Sequence, residues 1–285
     1  MITPPAHEVS PGFYVVATPI GNLRDITLRA LDVLSAAHLI LVEDTRVSAK
    51  LLNAYGIKAR LVRCDEHTEK NRLEEVIQRL QGGEVIALIS DAGTPLISDP
   101  GFRLIEAITA RGLKAIPIPG ASSVLAALCV SGLPTDRFLF VGFAPPKSKA
   151  RLSFFQKWRT VEASLIVFET GPRLKSSLND MMAILGNRRA MVGREITKRF
   201  ETFEYGYLES LVQKETLAEP KGELVVIIGP PLAEHDECGD DVWKFELERT
   251  LSQVSAAEAA KSIAKLYGLN RGEVYQEAMR LKQKS

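Results

Sequence analysis

The residues best suited to chemistry in this 285-residue chain lie in two segments rich in glycine, proline and serine. The first follows the apolar run Val85–Ile89 and reads Ser90, Asp91, Ala92, Gly93, Thr94, Pro95, Leu96, Ile97, Ser98, Asp99, Pro100, Gly101. Small residues let a ligand approach the backbone, prolines stiffen it, and Pro100 suits the first turn of a following helix. The second, Pro119 to Ser123, follows the run Ala115–Ile118 and opens an apolar helical stretch. Its Ser122 and Ser123 can cap that helix or hydrogen-bond a ligand. Two such loops at neighbouring strand ends can enclose an amino-acid carboxylate and an adenosine without any phosphate cradle. A dinucleotide is disfavoured, because the first turn, Thr18, Pro19, Ile20, Gly21, Asn22, Leu23, has one glycine where three spaced glycines would be needed, and a proline without an N–H. No Walker lysine motif is present.

Other chemistries find less support. His7, His38, His67 and His235 are scattered, and no His/Asp/Glu cluster has ligand spacing, so no metal is expected. Cys64, Cys129 and Cys238 are odd in number and lack CxxC spacing, which indicates neither a disulfide framework nor a thiolate zinc site and fits a reducing compartment. The chain begins without a basic segment followed by an apolar run, and no stretch approaches the roughly 18 apolar residues of a membrane span. A cytoplasmic protein without a membrane partner is the expectation.

The formal charge of +1 conceals a local imbalance. Residues 145–160 hold Lys147, Lys149, Arg151, Lys157 and Arg159 with no acid, whereas 230–255 hold seven acids against Lys244 and Arg249. The basic segment also carries Phe154, Phe155 and Trp158, a mixture that suits phosphates and stacked bases. Leu152, Phe155 and Trp158 fall on one helical stripe, so the aromatics are expected in the core, with Lys147, Lys149 and Arg151 as a candidate RNA face.

The elements that position these segments follow from periodicity. Apolar runs at 13–17, Leu39–Val42, Val85–Ile89 and Ala115–Ile118 alternate with helical periods such as Leu73, Val76, Ile77 and Leu80. Alternation of this kind implies a mostly parallel sheet covered on both faces, which binds ligands beyond the carboxyl ends of its strands. A second α/β stretch has runs at 138–141, 165–168 and 224–228, a helix after Pro172 closed by Gly186, and a strand pattern at 200–207. After an acidic linker, Ala256, Ala259, Ala260 and Ile263 mark the first of two helices punctuated by Gly268 and Asn270. This tail resembles a helix-turn-helix and carries Lys261, Lys265, Arg271, Arg280, Lys282 and Lys284. Composition, 46% apolar and 25% charged, excludes a disordered chain. The expected organisation is two α/β domains, 1–118 and 119–231, with a cleft between them, and a small helical domain at 232–285.

The first-strand turn, the Gly93, Thr94, Pro95 loop and the 119–123 loop together resemble the tetrapyrrole-methylase superfamily. Four further strings narrow the resemblance: Glu43, Asp44, Thr45, Arg46; the whole of 90–101; Glu169, Thr170, Gly171, Pro172, Arg173; and Gly193, Arg194, Glu195, Ile196, Thr197, Lys198. The likeness spans 12–229, and the helical tail fits it too. It implies a homodimeric methyltransferase that binds S-adenosylmethionine between two α/β domains, within a branch that methylates the ribose 2′-oxygen of a cytidine in 16S rRNA. Thr94 stands where corrin and porphyrin methylases usually have Asp, which argues against a tetrapyrrole substrate. By the same resemblance, cofactor contacts fall on Pro19, Ala92, Gly93, Thr94, Ile97, Ser122, Ser123 and Thr170, with Ile196, Gly222 and Glu223 nearby. A ribose hydroxyl is a weak nucleophile that gains from a base or a nearby cation, and Glu195 and Lys198 are the candidates. Glu43, Asp44, Arg46 and Arg173 are candidate substrate-positioning residues. The rival expectations are methylation of a corrin or porphyrin precursor and an RNA-binding assembly protein that keeps the fold without the activity.

Overall fold

The computed structural model of the chain describes residues 8–65, 68–218, 220–231, 240–251, 254–267 and 269–284. His7, His67, His235, Cys238 and Gly268, with the acidic segment 232–239, lie outside the described residues. The chain divides into two compact units, Met1–Pro231 and Leu232–Ser285.

The first unit begins with five short apolar strands: β1 (Gly12–Val16), β2 (Leu39–Val42), β3 (Leu61–Arg63), β4 (Val85–Ile89) and β5 (Ala115–Ile118). They form one sheet in the order β3-β2-β4-β1-β5, every pairing parallel. The connections contain α1 (Leu28–Ala36), α2 (Thr45–Ala54), α3 (Glu69–Gln81) and α4 (Phe102–Ala110). Alternate strand residues point to opposite faces, so each strand feeds two cores. Val16, Ile40, Val42, Ala87 and Ile89 pack with Val33 and Leu34 of α1 and Leu52 of α2. Phe13, Leu39, Leu41, Ile86 and Leu88 pack with Val76 and Leu80 of α3 and Leu104 and Ile108 of α4. The chain therefore leaves β1 toward one face and the adjacent β4 toward the other, which opens a crevice at their carboxyl ends. Pro100 is not part of the next helix. Gly101 occupies the cap position and α4 starts at Phe102, so the proline ends the loop rather than starting the helix.

The rest of this unit runs α5 (Ser123–Val130), β6 (Phe138–Phe143), α6 (Ser148–Gln156), β7 (Ser164–Thr170), α7 (Gly171–Leu185), β8 (Arg189–Arg194), β9 (Thr202–Tyr207), α8 (Leu208–Gln213) and β10 (Glu223–Ile228). This second sheet is mixed, in the order β6-β7-β10-β8-β9, with only β6 and β7 parallel. One face packs on Phe155 of α6 and on Leu174, Leu178, Met181 and Leu185 of α7. The other receives Val124, Ala127 and Leu128 of α5 together with Ile20 from the turn after β1, and this contact carries the first sheet's loops to the edge of the second sheet.

The second unit contains α9 (Asp240–Leu251), α10 (Ala256–Tyr267) and α11 (Arg271–Lys284). Its core joins Leu247, Ala259, Ala260, Ile263, Val274 and Ala278, and small alanines let the helices approach closely. Asn270 accepts the Gly272 N–H at 2.8 Å and so caps the start of α11.

Candidate active site

A cleft of about 390 Å³ opens where the carboxyl ends of β1, β4 and β5 meet loops and strand ends of the second sheet. Its first wall is the 90–101 segment, tied to the turn after β1 by a two-way backbone pairing. Thr18 N–H donates to the Gly93 carbonyl at 2.8 Å and Gly93 N–H returns to the Thr18 carbonyl at 3.0 Å. Gly93 is held at φ +81°, where a side chain would be strained, and a Cβ there would sit 3.3 Å from Ile20. The Thr94 hydroxyl donates to the Ala121 carbonyl at 3.2 Å, joining this wall to the 119–123 loop. Ser122 caps α5 by accepting the Leu125 N–H at 3.4 Å and also lines the cleft with Ser123.

The opposite wall, residues 194–198, is held by a backbone bond from the Glu195 N–H to the Glu223 carbonyl at 3.1 Å and by charged side chains. Glu195 accepts the Glu223 backbone N–H at 3.1 Å and a Lys198 Nζ bond at 3.0 Å, while Lys198 also reaches Glu223 Oε2 at 2.8 Å. Burial pushes the Glu195 carboxyl up, but the Glu223 N–H and the Lys198 ammonium outweigh it and hold the group below the ordinary glutamate range. Burial likewise opposes the Lys198 charge, and the bonds to Glu223 and Glu195 win, so its pKa is raised and it is an ammonium at neutral pH. Lys198 packs directly over Gly21, and Gly222 leaves the space that the Glu195 carboxylate fills. Among the described residues, four non-glycines adopt left-handed backbone: Leu96 and Ser98 on the first wall, Glu195 and Thr197 on the second. Such strain, of order 1–3 kcal/mol each, persists only where surroundings over-determine it, and it concentrates at ligand sites.

Four carboxylates line the cleft, Asp91, Asp99, Glu169 and Glu223, and no lysine, arginine or histidine does. Burial pushes Asp99 above the usual carboxylate range; a hydrogen bond with Ser90 opposes this and the charge of Asp91 adds to it. Glu43 is raised too, first by burial and then by Asp91, Asp99 and Asp65. Glu169 is fully buried and holds the Arg173 guanidinium at 2.6 Å. Asp44 pairs with Arg46 at 2.7 Å, and the Arg46 hydrogen bonds hold its carboxyl at about 2.

Of the residues expected to bind a cofactor, Ala92, Gly93, Thr94, Ile97, Ser122, Ser123, Thr170, Ile196 and Glu223 line the cleft, whereas Pro19 and Gly222 lie one residue outside it. Glu43, Asp44, Arg46, Arg173, Glu195 and Lys198 are not part of the lining. Arg151 requires correction as an RNA contact. It is 2% exposed, pairs with Asp180 at 2.7 Å and donates to the Pro145 and Pro146 carbonyls, so its charge is consumed inside the fold. Lys147 and Lys149 are exposed. Val124, Phe143, Phe168, Leu224 and Val225 also line the cleft and were not foreseen, because each looks like an ordinary apolar residue of its strand or helix. Among the described residues, no group of three or more His, Cys, Asp or Glu could hold a metal ion, and no helix is long and apolar enough to cross a membrane.

Comparison with known proteins adds three findings. Residues 12–212 match the family model described as Tetrapyrrole (Corrin/Porphyrin) Methylases. The chain is 46% identical to the Ribosomal RNA small subunit methyltransferase I of Mesorhizobium japonicum, over 99% of this chain and 96% of that protein, and 42% identical to the protein of the same name from Neisseria meningitidis serogroup A, over 95% and 94%. A solved structure, uroporphyrin-III C-methyltransferase from Thermus thermophilus complexed with S-adenyl homocysteine, shares the fold at a TM-score of 0.52 and 19% identity, covering 76% of this chain and 97% of that one.

Proposed function

The chain belongs to the tetrapyrrole (corrin/porphyrin) methylase family, and from that premise we propose that it is an enzyme that transfers a methyl group from S-adenosylmethionine to the ribose 2′-oxygen of a cytidine in 16S rRNA. The observation that carries the choice of acceptor is the near end-to-end likeness to proteins named as methyltransferases of small-subunit ribosomal RNA.

The cleft suits the cofactor. Its apolar floor of Val124, Ile196, Leu224 and Val225 can hold an adenosine, and Thr94, Ser122, Ser123 and Thr170 supply hydroxyls at the edge. Two of the four lining carboxylates are already paired, Glu169 with Arg173 and Glu223 with Lys198, and no lysine, arginine or histidine lines the cleft, so nothing there is arranged to grip a phosphate. Bound there, S-adenosylmethionine supplies a methyl carbon made electrophilic by its sulfonium sulfur. The rigid first wall fixes the line of attack, and alignment of reacting groups is the main source of rate in such a displacement. Lys198, held as an ammonium by two carboxylates, is the candidate cation near the ribose oxygen rather than a base, while Glu195, held below the glutamate range, is the weaker candidate for the proton, and both position the Ile196 segment. Asp99 lines the cleft with raised proton affinity, and we assign it as the acceptor for the ribose hydroxyl proton.

Lys147 and Lys149, and in the tail Lys261, Lys265 and Arg271, are exposed and are assigned to rRNA phosphates, while the ribosomal acceptor implies a cytoplasmic site of action. A homodimer fits the exposed apolar Leu125 and Val130 of α5 and the neighbouring Tyr205, whose hydroxyl donates to the Val130 carbonyl at 3.0 Å.

The decisive assay incubates the protein with tritiated S-adenosylmethionine and small ribosomal subunits lacking the modification, then maps the label by mass spectrometry. One ribose-methylated cytidine is expected, and Asp99→Asn should slow transfer about 10²-fold or more while leaving cofactor affinity intact. Label on a base, transfer only to a corrin or porphyrin precursor, or no binding at millimolar cofactor would overturn the assignment.

A further inference from the structure

The ladder between β6 and β7 slips once. Phe138, Leu139 and Phe140 pair in step with Ser164, Leu165 and Ile166, and pairing then resumes at Phe143 with Phe168. Three steps along β6 thus match two along β7, so β6 carries one extra residue, and within the bulge Gly142 takes φ +73°. In a regular strand Phe140 and Phe143 would face opposite sides of the sheet, because side chains alternate. The inserted residue reverses that parity. Phe143 shares the face of Phe140 and Phe168, turned to the cleft and away from the core under α6 and α7.

The result is an aromatic ring presented to solvent at the cleft. Phe143 touches Phe168 in a T-shaped contact with ring centroids 5.3 Å apart, and Phe168 meets Phe140 on the same terms at 4.7 Å. Phe143 is nevertheless 54% exposed, the most exposed large apolar side chain of the lining, whereas Val124, Ile196, Leu224 and Val225 are all under 10%. A ring that served only the core would be buried with them. Ile97, 46% exposed, lies on the other wall of the opening, so these two side chains mark the open side of the cleft, where an incoming nucleotide must enter.

We propose that Phe143 is the platform on which the base of the acceptor nucleotide stacks, so that the bulge in β6 builds a base-recognition surface beside the methyl-transfer cleft. The inference rests on the proposal that the acceptor is a ribose in RNA. A base lies one glycosidic bond from the ribose that must reach the methyl group, and RNA enzymes and binders hold unstacked bases against aromatic rings.

The test compares wild type, Phe143→Ala, Phe143→Leu and Phe143→Tyr on unmodified small subunits with tritiated S-adenosylmethionine, with cofactor affinity measured separately by calorimetry. Stacking on a ring contributes enough that Phe143→Ala should raise KM for subunits roughly 5- to 150-fold. Phe143→Tyr should stay within about threefold of wild type, Phe143→Leu should behave like Ala, and all four proteins should bind the cofactor within about twofold of one another. Leucine working as well as tyrosine would reduce Phe143 to an apolar wall. A parallel loss of cofactor affinity would reassign the ring to the cofactor, and either result would overturn the proposal. Failure of the wild type to label subunits would instead refute the acceptor assignment, which keeps the two failures apart.

Discussion

The two walls of the cleft are made rigid by different means. Residues 90–101 are fixed by their own composition: glycine at a left-handed position, prolines, and backbone bonds to the turn after β1. Residues 194–198 contain neither proline nor glycine; beside one backbone bond from the Glu195 N–H to the Glu223 carbonyl, their shape draws on the side chains of Lys198 and Glu195 reaching Glu223, which the chain supplies only at the start of β10. A wall of the first kind resists loss of any one side chain but tolerates little change of backbone. A wall of the second kind behaves in the opposite way.

Gly93→Val provides the most severe test of this contrast. It forces a β-branched residue into a left-handed position against Ile20; strain of about 3 kcal/mol falls on the stability of the fold, and a loop that shifts to relieve it loses its backbone pairing with Thr18, so we expect a chain of lower thermal stability whose cofactor affinity falls by about tenfold or more. Calorimetric affinity near that of wild type would show that the first wall adapts, and the contrast would fail. Gly222→Ala probes the second wall, because the new methyl group would occupy the position of the Glu195 carboxylate and would strain a backbone held at φ +95°. Displacing that carboxylate breaks its bonds to Lys198 and the Glu223 N–H. We expect cofactor affinity to fall about tenfold, and Glu195→Gln, which keeps the shape, to fall less. Equal losses in the two variants would mean that charge, and not geometry, holds this wall.

The smallest effect is expected away from the cleft, where the basic residues around α6 divide into spent and free charges. Neutralising exposed Lys147 and Lys149 should lower the slope of log subunit affinity against log salt by roughly one unit per lost phosphate contact, with cofactor affinity unchanged. Arg151→Met should leave that slope alone and lower thermal stability, since it strands Asp180. A salt titration in which only Arg151→Met changes the slope would reverse the assignment.

What was legible in the sequence follows the same division. The 90–101 and 119–123 loops were evident because glycine, proline and serine at strand ends announce close approach through composition alone. The strands Leu39–Val42, Val85–Ile89 and Ala115–Ile118 were equally plain as uninterrupted apolar runs. The three-residue β3 has too few positions to show a period and was not foreseen. Arg151 looked like a surface cation because its neighbours are lysines; only the fold brings Asp180 and two proline carbonyls to it. Phe143 fell outside the apolar run at 138–141, because Gly142 interrupts that run and a one-residue bulge that carries the strand past it leaves no mark in the sequence.

The position of β1 has a consequence for how the protein is made. The strand precedes the other four strands of its sheet in the chain yet sits inside that sheet, paired with β4 on one side and β5 on the other. Its β4 side can pair once residue 89 has been synthesised, but its β5 side must wait for residue 118, so at roughly 5–20 residues per second that edge of Phe13, Val15 and Val16 waits on the order of 5–20 s. During that interval the nascent chain presents an apolar strand with one edge open, and the first half of the cleft is assembled only when translation of the first sheet ends.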